Sequence, residues 1–495
     1  MAIPKGFLPD EDNSQIFTVT ETPQGTSFQV LEARQATVVN IARKDPNIEA
    51  FFAGAGGSRA SSLGGPNFGR MFFHLKPPSE RELDVNGVIQ ELRQKFAAVP
   101  GISVFMQNPP AIRIGGQLTK SLYQVSLQSP DLDELYNSAP ELEARLKTLP
   151  ELQDVTSDLQ LHSPQVNFDI DRDKAAAVGV TPQQIESALA DGFGPRWIST
   201  IYAPNDQYKV LIELEPNYQM DPATISKLYV KSSTGRLVRL DTVGTLTKDV
   251  GPQTISHLGQ LPAVTISFNL KPGMALGDAV EKVQQVARET LPASVTTSFQ
   301  GTAQAFQSSL VGMGLLLVLS IVFIYIVLGI LYESFVHPLT ILSGLPSAGL
   351  GALLTLLIFR NDLNVYSFVG LILLIGIVKK NAIMQIDFAL EAQRTQGKSP
   401  AEAIFDGCVV RFRPIMMTTM SALMASLPIA LGFSGWARRQ LGLSVVGGLL
   451  VSQLITLYLT PVVYLYMESL REWIARKLPH GHAAAPTEIH PPAVA

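Results

Sequence analysis

The hydrophobic and polar positions divide the chain into two regions of different rhythm. Up to residue 308, short runs of two-residue period alternate with stretches of helical spacing. Residues 16–21 read as a strand, 27–43 as a helix and 48–53 as a strand. After a Gly/Ser-rich loop at 54–69, residues 71–75, 85–98 and 102–107 give strand, helix and strand again. That order, βαββαβ, is the split-βαβ or ferredoxin-like arrangement. The pattern restarts with a strand at 123–127, a helix at 131–148 and a strand at 154–158, but its second half comes only at 263–269, 276–290 and 296–300. The insert between, 165–258, predicts elements of its own at 165–170, 182–190 and 228–231. It also predicts a hairpin of 197–203 with 208–213, turned at Pro204-Asn205-Asp206.

Beyond residue 308 the rhythm changes to long apolar runs. Residues 309–331 pass 23 positions without a charge, enough to cross a hydrocarbon core of about 30 Å. Further runs cover 337–359, 365–390, 414–431 and 441–467, which predicts five spans. The expected fold class is therefore α+β: a multi-pass membrane protein with two ferredoxin-like modules (1–118; 119–164 with 259–308) and an inserted subdomain (165–258). The membrane part (309–467) follows, and then a disordered tail (468–495).

Charge sharpens this division. The 495 residues are 46% hydrophobic and only 16% charged, below the roughly 25% of a soluble average. The first 308 hold 26 Lys+Arg against 33 Asp+Glu, and the remainder 12 against 9. A single soluble globule, a disordered chain and a basic nucleic-acid binder are thereby excluded. With the head outside, the inner loops and tail carry Arg394, Lys398, Arg411, Arg413, Arg471, Arg476 and Lys477, and the short outer loops only Arg360, Arg438 and Arg439. This bias places the head on the extracytoplasmic side. Such a head must be exported, yet Met1–Lys5 runs directly into Pro9-Asp10-Glu11-Asp12 with no signal-peptide pattern. The sequence is thus expected to be a fragment, or one half of a larger transporter.

The candidate chemistry lies mainly in the membrane. Cys408 is the single cysteine, which excludes an intrachain disulfide and a thiolate cluster, and no GxxxxGK[ST] loop occurs. No nucleophile–base pair or metal constellation stands out, so no enzyme activity is expected. Lys379 and Lys380 interrupt the third run, followed by Asn381 and Asp387. A lysine at membrane depth costs roughly 2.5–3.5 kcal/mol and normally faces a partner or a water path. Adjacent residues lie about 100° apart on a helix, so the two lysines point differently. Either one faces inward while the other snorkels, or both snorkel from a helix end. Asp387 shares a face with Lys380 but stands two turns away, and no other acid occurs within a span. An inward lysine therefore requires carboxylates from helices outside this chain. Arg411 is expected to open the next span, as a relay residue or as a positive-inside anchor, with Thr418 further in. In the head, Phe51, Phe52, Phe68, Phe72 and Phe105 are candidates for an apolar cleft, with ordinary core as the alternative.

Four segments carry a resemblance: Gly6-Phe-Leu-Pro-Asp-Glu-Asp12, Gly329-Ile-Leu-Tyr-Glu-Ser-Phe-Val-His-Pro338, Gly376-Ile-Val-Lys-Lys-Asn-Ala-Ile383 and Arg411-Phe-Arg-Pro-Ile-Met-Met-Thr-Thr419. They resemble the RND (resistance–nodulation–division) family of drug/proton antiporters, and the resemblance matches the C-terminal half of such a pump along nearly all of the chain. It implies that Lys380 is the proton-relay lysine, with Asn381 beside it and Arg411 and Thr418 at relay-associated positions. It further implies porter subdomains in the head and a docking subdomain at 165–258, whose hairpin (194–215) reaches into the neighbouring protomer of a trimer. The loop at 54–69 falls where the family has a switch loop. The implied setting is the bacterial inner membrane, with a large periplasmic domain and with the proton-motive force in place of a cofactor. The implied partners are lipid, the N-terminal half with the relay aspartates, like or related subunits, a periplasmic adaptor, an outer-membrane channel and small amphiphilic molecules. A truncated assembly module that docks on intact subunits without transporting is the alternative. Three departures from the family are expected: the relay's paired aspartates belong to its N-terminal half, the loop at 54–69 is Gly/Ser-rich with its one aromatic, Phe68, at the far end, and the connection at 432–441 is short and proline-free.

Overall fold

The structure is a computed structural model that describes residues 3–56, 65–110, 112, 114–116, 119–194, 196–432 and 435–477. The central part of the 54–69 loop and residues 478–495 lie outside the described residues.

The first unit runs β1 (Gln15–Glu21), α1 (Phe28–Arg43), β2 (Ile48–Ala55), β3 (Phe68–Leu75), α2 (Val85–Ala97) and β4 (Ser103–Gln107). Its antiparallel sheet has the order β2-β3-β1-β4. Helix α1 buries Leu31, Gln35, Val38 and Ala42, one stripe at helical spacing. Helix α2 starts where the Asp84 side chain accepts the Gly87 N–H, and it buries Val85, Val88, Ile89, Leu92 and Phe96. Both helices pack with Ile16, Met71, Phe73 and Met106 into one core. The opposite face of the sheet carries no helix of this unit.

The second unit begins with β5 (Tyr123–Gln128), α3 (Leu132–Lys147) and β6 (Leu152–Ser157). The chain then leaves it for β7 (Ser163–Ile170), α4 (Arg172–Ala177), α5 (Pro182–Phe193), β8 (Arg196–Tyr202), β9 (Gln207–Ile212), α6 (Pro216–Gln219), β10 (Tyr229–Lys231), β11 (Leu237–Arg239), α7 (Leu240–Val243) and β12 (Gly244–Gly251). It returns through β13 (His257–Leu258), β14 (Leu261–Leu270), α8 (Leu276–Thr290) and β15 (Thr296–Gln300). Strand β14 pairs with β5, β6 and β13, and β15 pairs with β5. The second core is separate from the first and gathers Val125, Leu127, Leu135, Leu142, Ile266, Phe268, Val280 and Val283. The insert leaves and returns on the antiparallel pair β7–β12, of which β12 went unpredicted. Its sequence, GTLTKDVG, alternates too weakly to register as a half-buried strand.

The seam between the two units is polar. Lys120, 5% exposed, donates to Glu21 Oε2 at 2.8 Å, Thr156 Oγ1 at 3.1 Å and the Ser157 carbonyl at 3.0 Å. Arg93 of α2 pairs bidentately with Asp154 of β6, and Asn269 Nδ2 donates to the same carboxylate at 3.0 Å. Residues 4–7 then strap the head to the membrane part. Leu363 N–H donates to the Pro4 carbonyl at 2.8 Å, Gly277 N–H to the Lys5 carbonyl at 2.9 Å and Val365 N–H to the Phe7 carbonyl at 3.1 Å.

The membrane part consists of α9 (Thr302–Tyr332), α10 (Val336–Leu342), α11 (Leu345–Ile358), α12 (Val365–Gln396), α13 (Pro400–Ala430) and α14 (Trp436–Lys477). Among the described residues, four segments are long and apolar enough to cross a membrane: Thr302–Tyr332, Val336–Ile358, Val365–Gln396 and Ala437–Leu470. The fifth predicted span, 414–431, is the end of α13 and is not among the four. Its Pro414, Thr418, Thr419, Ser421, Ser426 and Pro428 dilute its apolar character, although the helix packs on α12 and α14. The run at 337–359 is not one rod, because it breaks at Ser343-Gly344 between α10 and α11. Nor does Arg411 open a helix. A capping box at Ser399 and Glu402 starts α13 eleven residues earlier, which places Arg411 three turns inside. The expected tail is helical to Lys477 rather than disordered from 468. Helix α14 packs tightly because its glycines admit neighbouring side chains. A Cβ on Gly447 would stand 1.8 Å from Thr355 Oγ1, and one on Gly448 2.2 Å from Leu374 Cδ2.

Candidate functional sites: an aromatic groove and an intramembrane polar node

Strand register builds the first site. Phe52 of β2 stands opposite Phe72 of β3, Phe72 opposite Phe17 of β1, and Phe17 opposite Gln107 of β4. Residues opposite one another across a sheet share a face, so these four form one row on the side away from α1 and α2. The Phe17 and Phe72 rings lie 4.9 Å apart between centroids, and Phe52 and Phe72 are 67% and 49% exposed. The row belongs to a groove of about 600 Å³, lined also by Phe51, Phe73, Pro109 and Pro110. A concave apolar surface with few polar groups is the usual form of a small-molecule site.

The structure thus brings Phe51, Phe52 and Phe72 together and leaves two candidates elsewhere. Phe68 is buried with Phe17 and Val19. Phe105 lies under the Lys120 ammonium, which stands 5.3 Å from the Phe68 ring and 5.7 Å from the Phe105 ring. Phe17, Gln107 and the Pro109-Pro110 pair were missed. The available signal was the alternation of β1 and β3, which puts Phe17 and Phe72 in step once the strands are known to be neighbours. A second cleft, of about 670 Å³, follows the polar seam and is lined by Asp10, Asp84, Arg93, Asn269 and Asp362.

The second site lies where α12, α13 and α14 meet. Asn381 Nδ2 donates to Thr419 Oγ1 at 3.1 Å and to Gln453 Oε1 at 2.9 Å. Thr419 Oγ1 lies 2.9 Å from both Gln453 Oε1 and the Ile415 carbonyl, and Gln453 Nε2 reaches Met416 Sδ at 3.3 Å. All three residues of this node are buried. In an apolar medium an unpaired amide is costly, so the network fixes the mutual rotation of three helices. Thr419 and Gln453 were not foreseen, because a lone polar residue in each helix has no meaning until the helices are rotated against each other.

The two lysines separate. Lys379 is buried, whereas Lys380 is exposed on the flank of α12, on the same side as exposed Asp387 two turns on. Thr418 bonds the Ile415 carbonyl of its own helix at 3.1 Å, and Arg411 stacks over the Phe388 ring at 5.5 Å. Among the described residues Lys380, Arg411 and Thr418 form no ion pair or hydrogen bond with one another, so only Asn381 of the expected relay set enters the node.

At the joint between head and bundle, the Asp362 carboxyl, in the loop before α12, lies above the ordinary aspartate range. Burial raises it, and the charges of Asp278 and Asp10 add to the effect. Asp12 moves the other way. Burial alone would raise it, but the Arg81 guanidinium and the N–H groups of Ser14 and Val85 hold it lower.

Comparison with known proteins places this geometry. The sequence model of the AcrB/AcrD/AcrF family matches residues 1–468. Multidrug resistance protein MdtC of Escherichia coli (strain K12 / DH10B) is 43% identical over 480 residues, 96% of this chain and 46% of that protein. The MdtC protein of Escherichia fergusonii matches to the same extent. The chain therefore spans about half the length of the curated relatives it matches. Two crystal forms of a heavy metal efflux pump superpose with a TM-score of 0.82 at 25% identity. They cover 94% of this chain and 49% or 48% of the pump.

Proposed function

This chain belongs to the AcrB/AcrD/AcrF family of RND efflux transporters, and from that premise we propose that it is the C-terminal half of a proton-driven multidrug exporter. The observation that carries the reading is Lys380, a lysine at membrane depth exposed on the flank of α12, one residue from a closed polar node at Asn381. A charge there is costly against lipid, by roughly 2.5–3.5 kcal/mol, unless protein or a water path covers it. In this reading the N-terminal half covers it and supplies carboxylates, and Lys380 exchanges protons with them. The node at Asn381, with Thr418 and Arg411 on α13, transmits the change in charge as a movement of α12 against α13 and α14.

The residue 4–7 strap then carries that movement from the loop before α12 to α8 of the second unit. The two sheet units act as porter subdomains hinged at the polar seam. Interfaces of this polarity between domains ordinarily allow relative motion. The Phe52–Phe72–Phe17 row takes the cargo, amphiphilic molecules with an apolar ring system. Five helices of this chain span the inner membrane in this reading, α13 included, and the head stands in the periplasm. The insert is the docking subdomain. Its β8–β9 hairpin exposes Trp197, Ile201, Tyr202, Tyr208 and Leu211, an apolar surface suited to a neighbouring protomer of a trimer. An adaptor and an outer-membrane channel complete the path, and the proton gradient drives it without a cofactor.

The test is resistance and proton uptake by the chain assembled with a first half. Lys380→Ala is expected to abolish drug-driven proton uptake and to return resistance to the level of cells without the pump. Resistance left intact by Lys380→Ala would sink the relay assignment.

A further inference from the structure

The proton-driven reading uses Lys380 and leaves unexplained a second set of buried polar groups on the opposite side of α12. Along α14, Ser452, Thr456, Thr460 and Tyr464 follow one another at four-residue intervals and are 2%, 4%, 0% and 1% exposed. Glu468 continues the series with a buried Oε2. The five residues form a stripe about 24 Å long that winds about 160° around the helix, which rises about 1.5 Å and turns about 100° per residue. It runs from the middle of α14 to the end away from the head.

The hydroxyls of this stripe do not behave as membrane hydroxyls usually do. Thr and Ser in such helices bond back to the carbonyl one turn earlier, and Thr340, Thr355, Thr419 and Ser426 do so here. Ser452 and Thr456 bond each other instead, at 3.1 Å. Thr460 Oγ1 is buried and makes no hydrogen bond among the described residues.

Two elements close over the stripe. The α10–α11 junction abuts it, because a Cβ on Gly344 would stand 3.4 Å from Thr456 Oγ1. Two turns away, the buried His337 ring stacks on Tyr464 with 6.3 Å between centroids and meets Tyr332 edge-on at 6.3 Å. Helix α12 closes the other side. Its Ala382 and Ile386 share a buried cluster with Tyr464 and Ile341, and Lys379 lies three and seven residues before them on the same face. The approach of Leu374 to Gly448 and the Asn381–Gln453 bond set the heights of the two helices, which puts Lys379 level with Ser452. Lys379 is 8% exposed and forms no ion pair among the described residues.

We propose that the α10–α12–α14 interface is a proton path from Lys379 through Ser452, Thr456 and Thr460 to Tyr464, His337 and Glu468. This proposal rests on the proton-driven reading above. Each hydroxyl accepts a proton on a lone pair and releases its own to the next oxygen, so one O–H bond forms as another breaks and no charge stays behind. Lys379 delivers from its ammonium, His337 accepts on one ring nitrogen and releases from the other, and Glu468 is the last acceptor. Ser452 and Thr456 are in direct contact, and beyond them the rise of about 6 Å per four residues is a distance that one bridging water spans. The titratable groups packed around His337 and the stripe are Tyr332 from α9, Lys379 from α12, Cys408 from α13, and Tyr464 and Glu468 of α14 itself, with Asp387 on the exposed flank of α12. Cys408 packs on the same cluster. Helix α11 contributes none.

The experiment uses proteoliposomes of the chain assembled with a first half, a pH-sensitive dye inside and an imposed gradient of the fluorescent amphiphile rhodamine 6G. Thr460→Val keeps the shape and removes the hydroxyl, and it should slow proton uptake by about 100-fold or more, the scale of one lost proton-transfer group. Thr460→Ser restores the hydroxyl and should return uptake to near the parent rate. Rhodamine binding should not change in either variant. His337→Gln, planar and polar but unable to carry a proton, gives a second reading and should slow uptake likewise. Parent-like uptake by both Thr460→Val and His337→Gln overturns the path while the proton-driven reading stands. A parent that takes up no protons overturns the proton-driven reading itself, and the path with it.

Discussion

Phe72 shows how much a single side chain depends on its neighbours. Alone it is one of 23 phenylalanines; in register it is the middle of an aromatic row between Phe52 and Phe17. Phe72→Ala removes a half-exposed ring from the groove and leaves the core on the far face, with Ile16 and Phe73, intact. Amphiphile binding is expected to weaken by about tenfold, the equivalent of about 1.4 kcal/mol, with an unchanged thermal midpoint. Fluorescence polarisation with rhodamine 6G checks the first and a melting curve in detergent the second. The lysine pair teaches the same lesson at membrane depth. Helical geometry already says that Lys379 and Lys380 diverge, but which one faces the bundle is a matter of how α12 is rotated, and the buried one is Lys379.

At the scale of elements, local signals located most of what the chain builds. The helix at 276–290 and the strand at 296–300 coincide with α8 and β15, because amphipathic period and flanking turn residues are written locally. The breaks are instructive. The capping box at Ser399 and Glu402 was a readable start signal for α13, and the charges between 400 and 413 concealed it as loop. Glycines in α14 are the clearest case of an element shaped by its neighbours. Gly447→Val would drive methyl groups into Thr355, and overpacking of a tight helix pair typically costs about 1–3 kcal/mol. A lowered midpoint for α11–α14 unfolding is expected, with the head unaffected, as read by hydrogen exchange of peptides from each region.

The whole molecule is two cores, an insert and a helical bundle joined by polar seams, and its pH response belongs to those joints. Asp362 sits in the joint between head and bundle with its carboxyl raised by burial and by Asp278 and Asp10. A carboxyl raised in the folded state binds protons there that the unfolded chain, at about 3.9, gives up. The joint is therefore destabilised when Asp362 is charged, at neutral pH, and gains stability as pH falls through the raised value. Asp362→Asn removes that cost. It should raise the melting midpoint at pH 7 by about 2 °C and flatten the rise in stability on mild acidification, measured by melting curves between pH 4 and 8. An unchanged acid slope would show that the joint owes its pH response to other groups.

The sequence by itself determined most of the elements, the split between a charged head and an apolar bundle, the repetition of βαβ halves and several of the residues worth watching. These are local quantities, set by period, caps and composition along a stretch of chain. Tertiary structure alone decided which face of each element looks inward. Strand register turned scattered phenylalanines into a row. Helix rotation joined Asn381 to Thr419 and Gln453, 38 and 72 positions away. It also set Tyr464, in series with the buried Ser452, Thr456 and Thr460, against His337 on a different helix. Such contacts depend on packing between distant segments, where the cost of a buried polar group selects one rotation among many, and no window along the chain contains both partners.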